Sequence, residues 1–138
     1  MDDSWLKALG MGARGQQIPD DWASLGNGLF RNAVTFARRP GIKSGDGIVL
    51  YASGTGLFFA IGNATSYPYL FDEGGSTSWP WRVNVRLDHW RDFVHDGVSL
   101  DVLNVNGRNL RVSIKRRSHI RLSALEHQAA ASALGRSE

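Results

Sequence analysis

Two apolar runs, "GIVLYA" at 47–52 and "LFFAIGNAT" at 57–65, stand on either side of "SGTG" and leave this chain few ways to fold. Both are rich in β-branched and aromatic residues, and Gly54 and Gly56 admit the positive φ angles of a tight connection. The spacing predicts an antiparallel hairpin. In "WRVNVRL", Val83, Val85 and Leu87 alternate with Arg82, Asn84 and Arg86, the period of a strand with one wet face. "LDVLNV" and "RNLRVSI" around Asn106-Gly107 read as a second hairpin, and "HIRLS" as a further strand. Ser123 with Glu126 three residues on forms a capping box that opens an alanine-rich C-terminal helix.

The other elements are less periodic. "LFRNAVTFARR", 29–39, sets Phe30, Val34 and Ala33 or Ala37 at helical spacing before Pro40-Gly41, and predicts a short helix. "DHWRDFV" predicts one helical turn. Glycines at 10, 12 and 15 break "SWLKALGMGARG", so residues 1–19 are expected to be an irregular N-terminal segment and 20–138 a single domain. The fold class expected is α+β, mainly β: a curled β-barrel of five or six strands flanked by short helices.

The chain has no cysteine, which excludes disulfides, thiolate zinc sites and a cysteine nucleophile, and fits a cytoplasmic location. The N-terminus carries acids where a signal peptide needs positive charge, and no apolar stretch approaches a membrane span. Four scattered histidines lack metal-ligand spacing, and no nucleophile elbow or phosphate-binding loop is present. No metal and no cofactor are expected, and a binding module is favoured over an enzyme.

Net charge is only +3, but its distribution is uneven. Between Val105 and Leu125 stand Arg108, Arg111, Lys115, Arg116, Arg117 and Arg121 with no acid among them. Such a local positive field suits a polyanion, while the plainer reading is a solvated strand and turn. Of five tryptophans, Trp22 and the pair Trp79 and Trp81 flanking Pro80 lie in or beside loops, whereas Trp5 and Trp90 read as core. A flat indole stacks a nucleobase for roughly 1 to 3 kcal/mol, and the same cage suits a cation.

The order "RNAVTFARR", "GDGIVLYASG", "LFFAIGNATSYPY" and "PWRVNVRL", closed by a C-terminal helix, resembles the EVE domain family and its relative the YTH domain, within the PUA-like superfamily. Arg31-Asn32, Gly45-Asp46 and Tyr51 match EVE positions, and Trp22-Ala23-Ser24-Leu25, Asn32 and Trp79 match YTH positions. The resemblance implies a nucleic-acid-binding module that reads a methylated or hydroxymethylated base of DNA or RNA in an aromatic cage. It makes Trp22, Trp79 and Trp81 cage walls, Asn32 and the Ala23 backbone contacts to the base edge, and Tyr51 a neighbour at the mouth. Phosphates would fall to Arg31, Arg38, Arg39, Lys115, Arg116 and Arg117. Both families begin with an apolar strand that "SWLKAL" matches only in Trp-Leu and a displaced Lys, so that strand is expected to be degenerate or absent.

Two other classes stay open. One is a nucleotide- or RNA-directed hydrolase similar to ASCH domains, with Lys43 and Asp46 as its pair. The other is a tryptophan-rich protein-interaction surface.

Overall fold

The computed structural model describes residues 3–10, 18–24, 32–71, 80–115 and 117–135. Strands β1 (Ser4–Leu9), β2 (Ala33–Phe36), β3 (Gly47–Ala52), β4 (Leu57–Ala64), β5 (Tyr69–Leu70), β6 (Trp81–Trp90), β7 (Val98–Ser99) and β8 (His119–Leu122) make one sheet. Helices α1 (Leu110–Ile114) and α2 (Ala124–Gly135) join it. The main path runs β2-β6-β4-β3-β1-β8, with the two-residue strands β5 and β7 paired to its side. This is the expected α+β curled barrel, six strands along its path.

The hairpin of β3 and β4 forms as the sequence predicts, with Gly54 and Gly56 at φ of 83° and 75° in its turn. Along β3, Ile48, Leu50 and Ala52 point into the barrel, while Val49 and Tyr51 point outward under the helices. The inner cluster gathers Trp22, Phe36, Phe59 and Val83, and the outer one joins Leu100, Leu103, Leu110 and Leu134 to the back of the sheet. Each such large apolar side chain contributes about 1.5 to 3 kcal/mol on burial.

Residues 4–9 are a strand, correcting the irregular segment expected at 1–19 and the degenerate first strand. β1 lies parallel to β3 and antiparallel to β8, in the interior of the sheet. Covered on both faces, it shows little polar alternation, and Gly10 follows the strand instead of breaking it. Asp46, fully buried, ties β1 down. Its carboxylate accepts the Trp5 indole N–H at 2.9 Å and the backbone N–H groups of Lys43 and Asp3 at 2.9 and 3.2 Å.

Three further expectations change. Ala33–Phe36 is a strand pairing with β6, not part of a helix, because so short an apolar run fits either period and the neighbouring β6 supplies the ladder; 25–31 lie outside the described residues. The helical turn expected at "DHWRDFV" sits later, as a 3-10 turn at Val94–Asp96, since β6 runs on through Trp90. No hairpin forms around Asn106-Gly107, although Gly107 adopts φ of 79°. A 3-10 helix at Leu100–Leu103 precedes it and α1 follows, because the buried leucines and Ile114 recur at three and four residues, and Asn109 caps α1 through the N–H groups of Arg111 and Val112.

The capping box at α2 is present: Ser123 Oγ accepts from Glu126 N at 3.1 Å, and Glu126 Oε1 accepts from Ser123 N at 2.7 Å. Arg108 completes it from the preceding loop, donating from Nε and Nη2 to the two Glu126 oxygens at 2.9 Å each and from Nη2 also to the Arg121 carbonyl.

Candidate functional site

A cleft of about 630 Å³ opens where the end of α1 passes over β1 and β8. Among the described residues, every charged side chain that lines it is cationic: Arg108, Lys115, Arg117 and Arg121. Trp5 and His119 supply its ring surfaces. The Arg121 guanidinium lies 5.0 Å from the Trp5 ring centre, in cation–π range. Two of the four cations are partly committed elsewhere, Arg108 to Glu126 and Arg121 to Asp3 at 3.7 Å. Among the described residues neither Lys115 nor Arg117 is ion-paired, and both are exposed, so their charge is offered to solvent or ligand.

Behind the cleft the barrel closes through side chains. His119 on β8 meets Phe36 on β2 edge to face at 5.0 Å and Trp5 at 5.6 Å, so the two ends of the sheet touch without a shared ladder. Lys7 Nζ rests 4.3 Å from the Phe36 ring centre and donates to Ser118 Oγ at 3.0 Å. The same oxygen lies 3.1 Å from His119 Nδ1. Burial pushes the Lys7 amine from 10.5 down to about 8. Burial, helped by the Lys7 charge, also holds the His119 imidazole below its ordinary 6.5. A buried amine, a hydroxyl and a neutral imidazole thus form one hydrogen-bonded row.

The structure divides the residues expected as a cage. Trp22 is fully buried: its indole N–H donates to the Arg91 carbonyl at 2.7 Å and its ring packs 4.6 Å from Phe59. A stacking wall needs an open face, and Trp22 is core here. Tyr51 belongs to the outer cluster, across the sheet from Trp22, so the two cannot border one pocket. Ala23 packs partly buried against the inner cluster, and Asn32 is exposed just ahead of β2. Trp81 is half-buried opposite Phe36, with the Arg39 guanidinium 5.7 Å from its ring centre. Arg38 is exposed beside it. Arg31, Trp79 and Arg116 lie outside the described residues.

Lys115 and Arg117, expected on phosphates, are both in the cleft. Reading the sequence missed its aromatic part. The sequence puts Trp5 in the core, which its burial supports, yet its ring also lines the cleft. Trp90, also assigned to the core, is 38% exposed at the end of β6, its indole N–H donating to Asp92. Lys43 and Asp46 do not form a catalytic pair: the Asp46 carboxylate is engaged by three N–H donors, and Lys43 Nζ faces Asp3 at 3.8 Å. Among the described residues no three His, Asp or Glu side chains cluster as a metal site. No helix among them is long and apolar enough to cross a membrane.

No family model matches the chain, and no curated protein matches it significantly. Its fold recurs in solved structures. A hypothetical protein from Leishmania major superposes with a TM-score of 0.63 at 14% identity, over 98% of this chain and 96% of that one. An X-ray structure of a protein from Agrobacterium tumefaciens gives 0.51 at 18% identity, over 96% and 93%. At such identities the likeness shows the fold alone.

Proposed function

We propose that this chain is a nucleic-acid-binding module of the EVE type, within the PUA-like superfamily, that takes a single strand along the cationic cleft and reads a modified base. One observation carries the reading: in the cleft of about 630 Å³, the four charged side chains among the described residues are all positive and two ring systems border them. Phosphates fall to Lys115, Arg117 and Arg121, whose contacts release counterions and give affinity without sequence. Unstacked bases meet the half-buried His119 ring, as in single-strand recognition elsewhere, with buried Trp5 backing the cleft. Base discrimination is assigned to the barrel mouth, where Trp81 and Arg39 lie together and Asn32 stands nearby in sequence. Neither step calls for a metal or a cofactor.

The test is fluorescence anisotropy with labelled single-stranded DNA and RNA carrying plain cytosine or adenine, 5-methylcytosine, 5-hydroxymethylcytosine or N6-methyladenine. Binding that weakens with salt and is lost in the Lys115→Glu, Arg117→Glu double variant supports the module. A preference for one modified oligonucleotide, abolished in Trp81→Ala, supports the reader. Absence of binding to every oligonucleotide at low salt overturns both, and equal binding to all of them overturns base reading alone.

A further inference from the structure

Among the described residues that line the cleft, His119 is the side chain whose ordinary titration falls near neutral pH. Its half-buried ring is held on three sides: Phe36 meets it edge to face at 5.0 Å, Trp5 lies 5.6 Å away, and Nδ1 sits 3.1 Å from Ser118 Oγ. Nε2 has no hydrogen-bond partner among the described residues and, unlike the buried Nδ1 of His127, is not sealed from solvent. Both protonation states fit this setting. The Ser118 oxygen accepts from the Lys7 amine at 3.0 Å, and toward Nδ1 it can either donate to a neutral ring or accept from an imidazolium. A proton gained by the ring therefore strands no donor at Nδ1, and it makes Nε2 a charged donor.

We propose that His119 is a proton-coupled anion ligand: an anionic group, a phosphate where the ligand is a strand, seats against Nε2 in the cleft, and the imidazole takes up one proton as it does so. The coupling rests on the reading of the cleft as a polyanion site and is independent of base reading. The edge of the ring takes the phosphate, and its face is left for a base.

Without a ligand, the surroundings oppose that proton. Lys7 and Trp5 face the ring from β1, Phe36 from β2 and Ser118 from the position before it, and Arg108, Lys115, Arg117 and Arg121 share the cleft. The acids nearest these cations are already engaged, Glu126 by Arg108 and Asp3 by Arg121 and Lys43. Burial first, and then the Lys7 charge, hold the ring below its ordinary 6.5. A phosphate brings the negative charge that the cleft lacks, raises the proton affinity of the imidazole and gains a charge-assisted hydrogen bond. By linkage, each unit by which the phosphate raises the His119 pKa makes the protonated form bind about tenfold tighter. Affinity is therefore flat above the pKa of the complex, climbs as pH falls, and levels off below the pKa of the free protein. Between the two values, binding withdraws protons from solution.

The test is a proton-NMR titration of the His119 Hε1 resonance on the full chain, identified by its loss in His119→Gln, with and without saturating ligand. The ligands are a short oligothymidylate and dextran sulfate, a polyanion without bases; neither titrates from about pH 5 to 8. We expect the midpoint to rise by about one unit or more in complex. Oligothymidylate affinity, measured by fluorescence anisotropy at constant salt, should grow about fivefold from pH 7 to pH 5, against less than twofold in His119→Gln. Circular dichroism establishes that the variant is folded. An unmoved midpoint in a saturated complex, or the same pH dependence in folded His119→Gln, overturns the coupling and leaves the nucleic-acid reading standing. A midpoint raised by dextran sulfate, with no binding of oligothymidylate at low salt, supports the coupling and removes nucleic acid as the ligand. Binding of neither polyanion overturns both.

Discussion

The rings of Phe36 and His119 meet edge to face, 5.0 Å between centres, across the two strands that end the sheet. Among the described residues, barrel closure therefore rests on a few side chains, not on a ladder of backbone hydrogen bonds. Phe36 is 1% exposed, so Phe36→Ala should cost about 3 to 5 kcal/mol and Phe36→Leu about 1 kcal/mol. Urea midpoints measure both, and a loss under 1 kcal/mol for the alanine variant would show that the seam is held elsewhere.

Lys7 gives stability an uncommon pH dependence. Its amine titrates near 8 in the folded chain and near 10.5 when unfolded, so between these values the unfolded state binds the extra proton. Stability should rise with pH across that window, by on the order of 2 to 3 kcal/mol, and the rise should vanish in Lys7→Met. Thermal melts from pH 7.5 to 10.5 decide it. A wild-type curve parallel to that of the variant would mean that the amine titrates normally.

Glu126 behaves in the opposite sense. Burial raises its carboxyl, but the Arg108 guanidinium and the Ser123 N–H outweigh burial and hold it below the ordinary 4.5. Its contribution is complete above about 4.5 and is lost as pH falls through the lower folded value. Glu126→Ala should cost about 3 kcal/mol, since it strips Arg108 of its partner and α2 of half its cap, against about 1 kcal/mol for Ser123→Ala. Chemical denaturation of the two variants at pH 7 should give that order.

Much of this architecture can be read from residue order, and the misses have physical causes. β3, β4 and β6 carry strong β periodicity, and the α2 cap is written in Ser123 and Glu126. β1 is hidden because a strand covered on both faces, with a lysine pointing inward, loses the alternation that would reveal it. The Leu100–Ile114 stretch misleads because Asn106-Gly107 signals a turn without fixing what flanks it. Trp22 reads as a cage wall because loops have no period to tell inward from outward, whereas its indole turns into the barrel. The basic run names Lys115 and Arg117, and both line the cleft. Lys7 and Ser118 stand 111 residues apart, and only the β1–β8 pairing shows that they touch.

Gly62 marks a point where the sheet admits no side chain. β4 slips register there against β6, and a Cβ on Gly62 would lie 2.0 Å from the Arg86 carbonyl oxygen, part of the backbone. Gly62→Ala should cost about 2 kcal/mol or more by forcing the two strands apart. A melting temperature within 1 °C or so of wild type would show that the register shift can relax.

The place of β1 between β3 and β8 also sets a timetable for synthesis. Among the described strands β1 is made before the others and can lie against β3 as soon as that hairpin forms, but its other edge waits for β8, which follows the rest of the sheet. At roughly 5 to 20 residues per second, that wait lasts several seconds. Throughout it, β1 offers an unpaired edge and Lys7 keeps its hydration. Only the arrival of β8 covers both, so the barrel closes after every other strand of the sheet has been made.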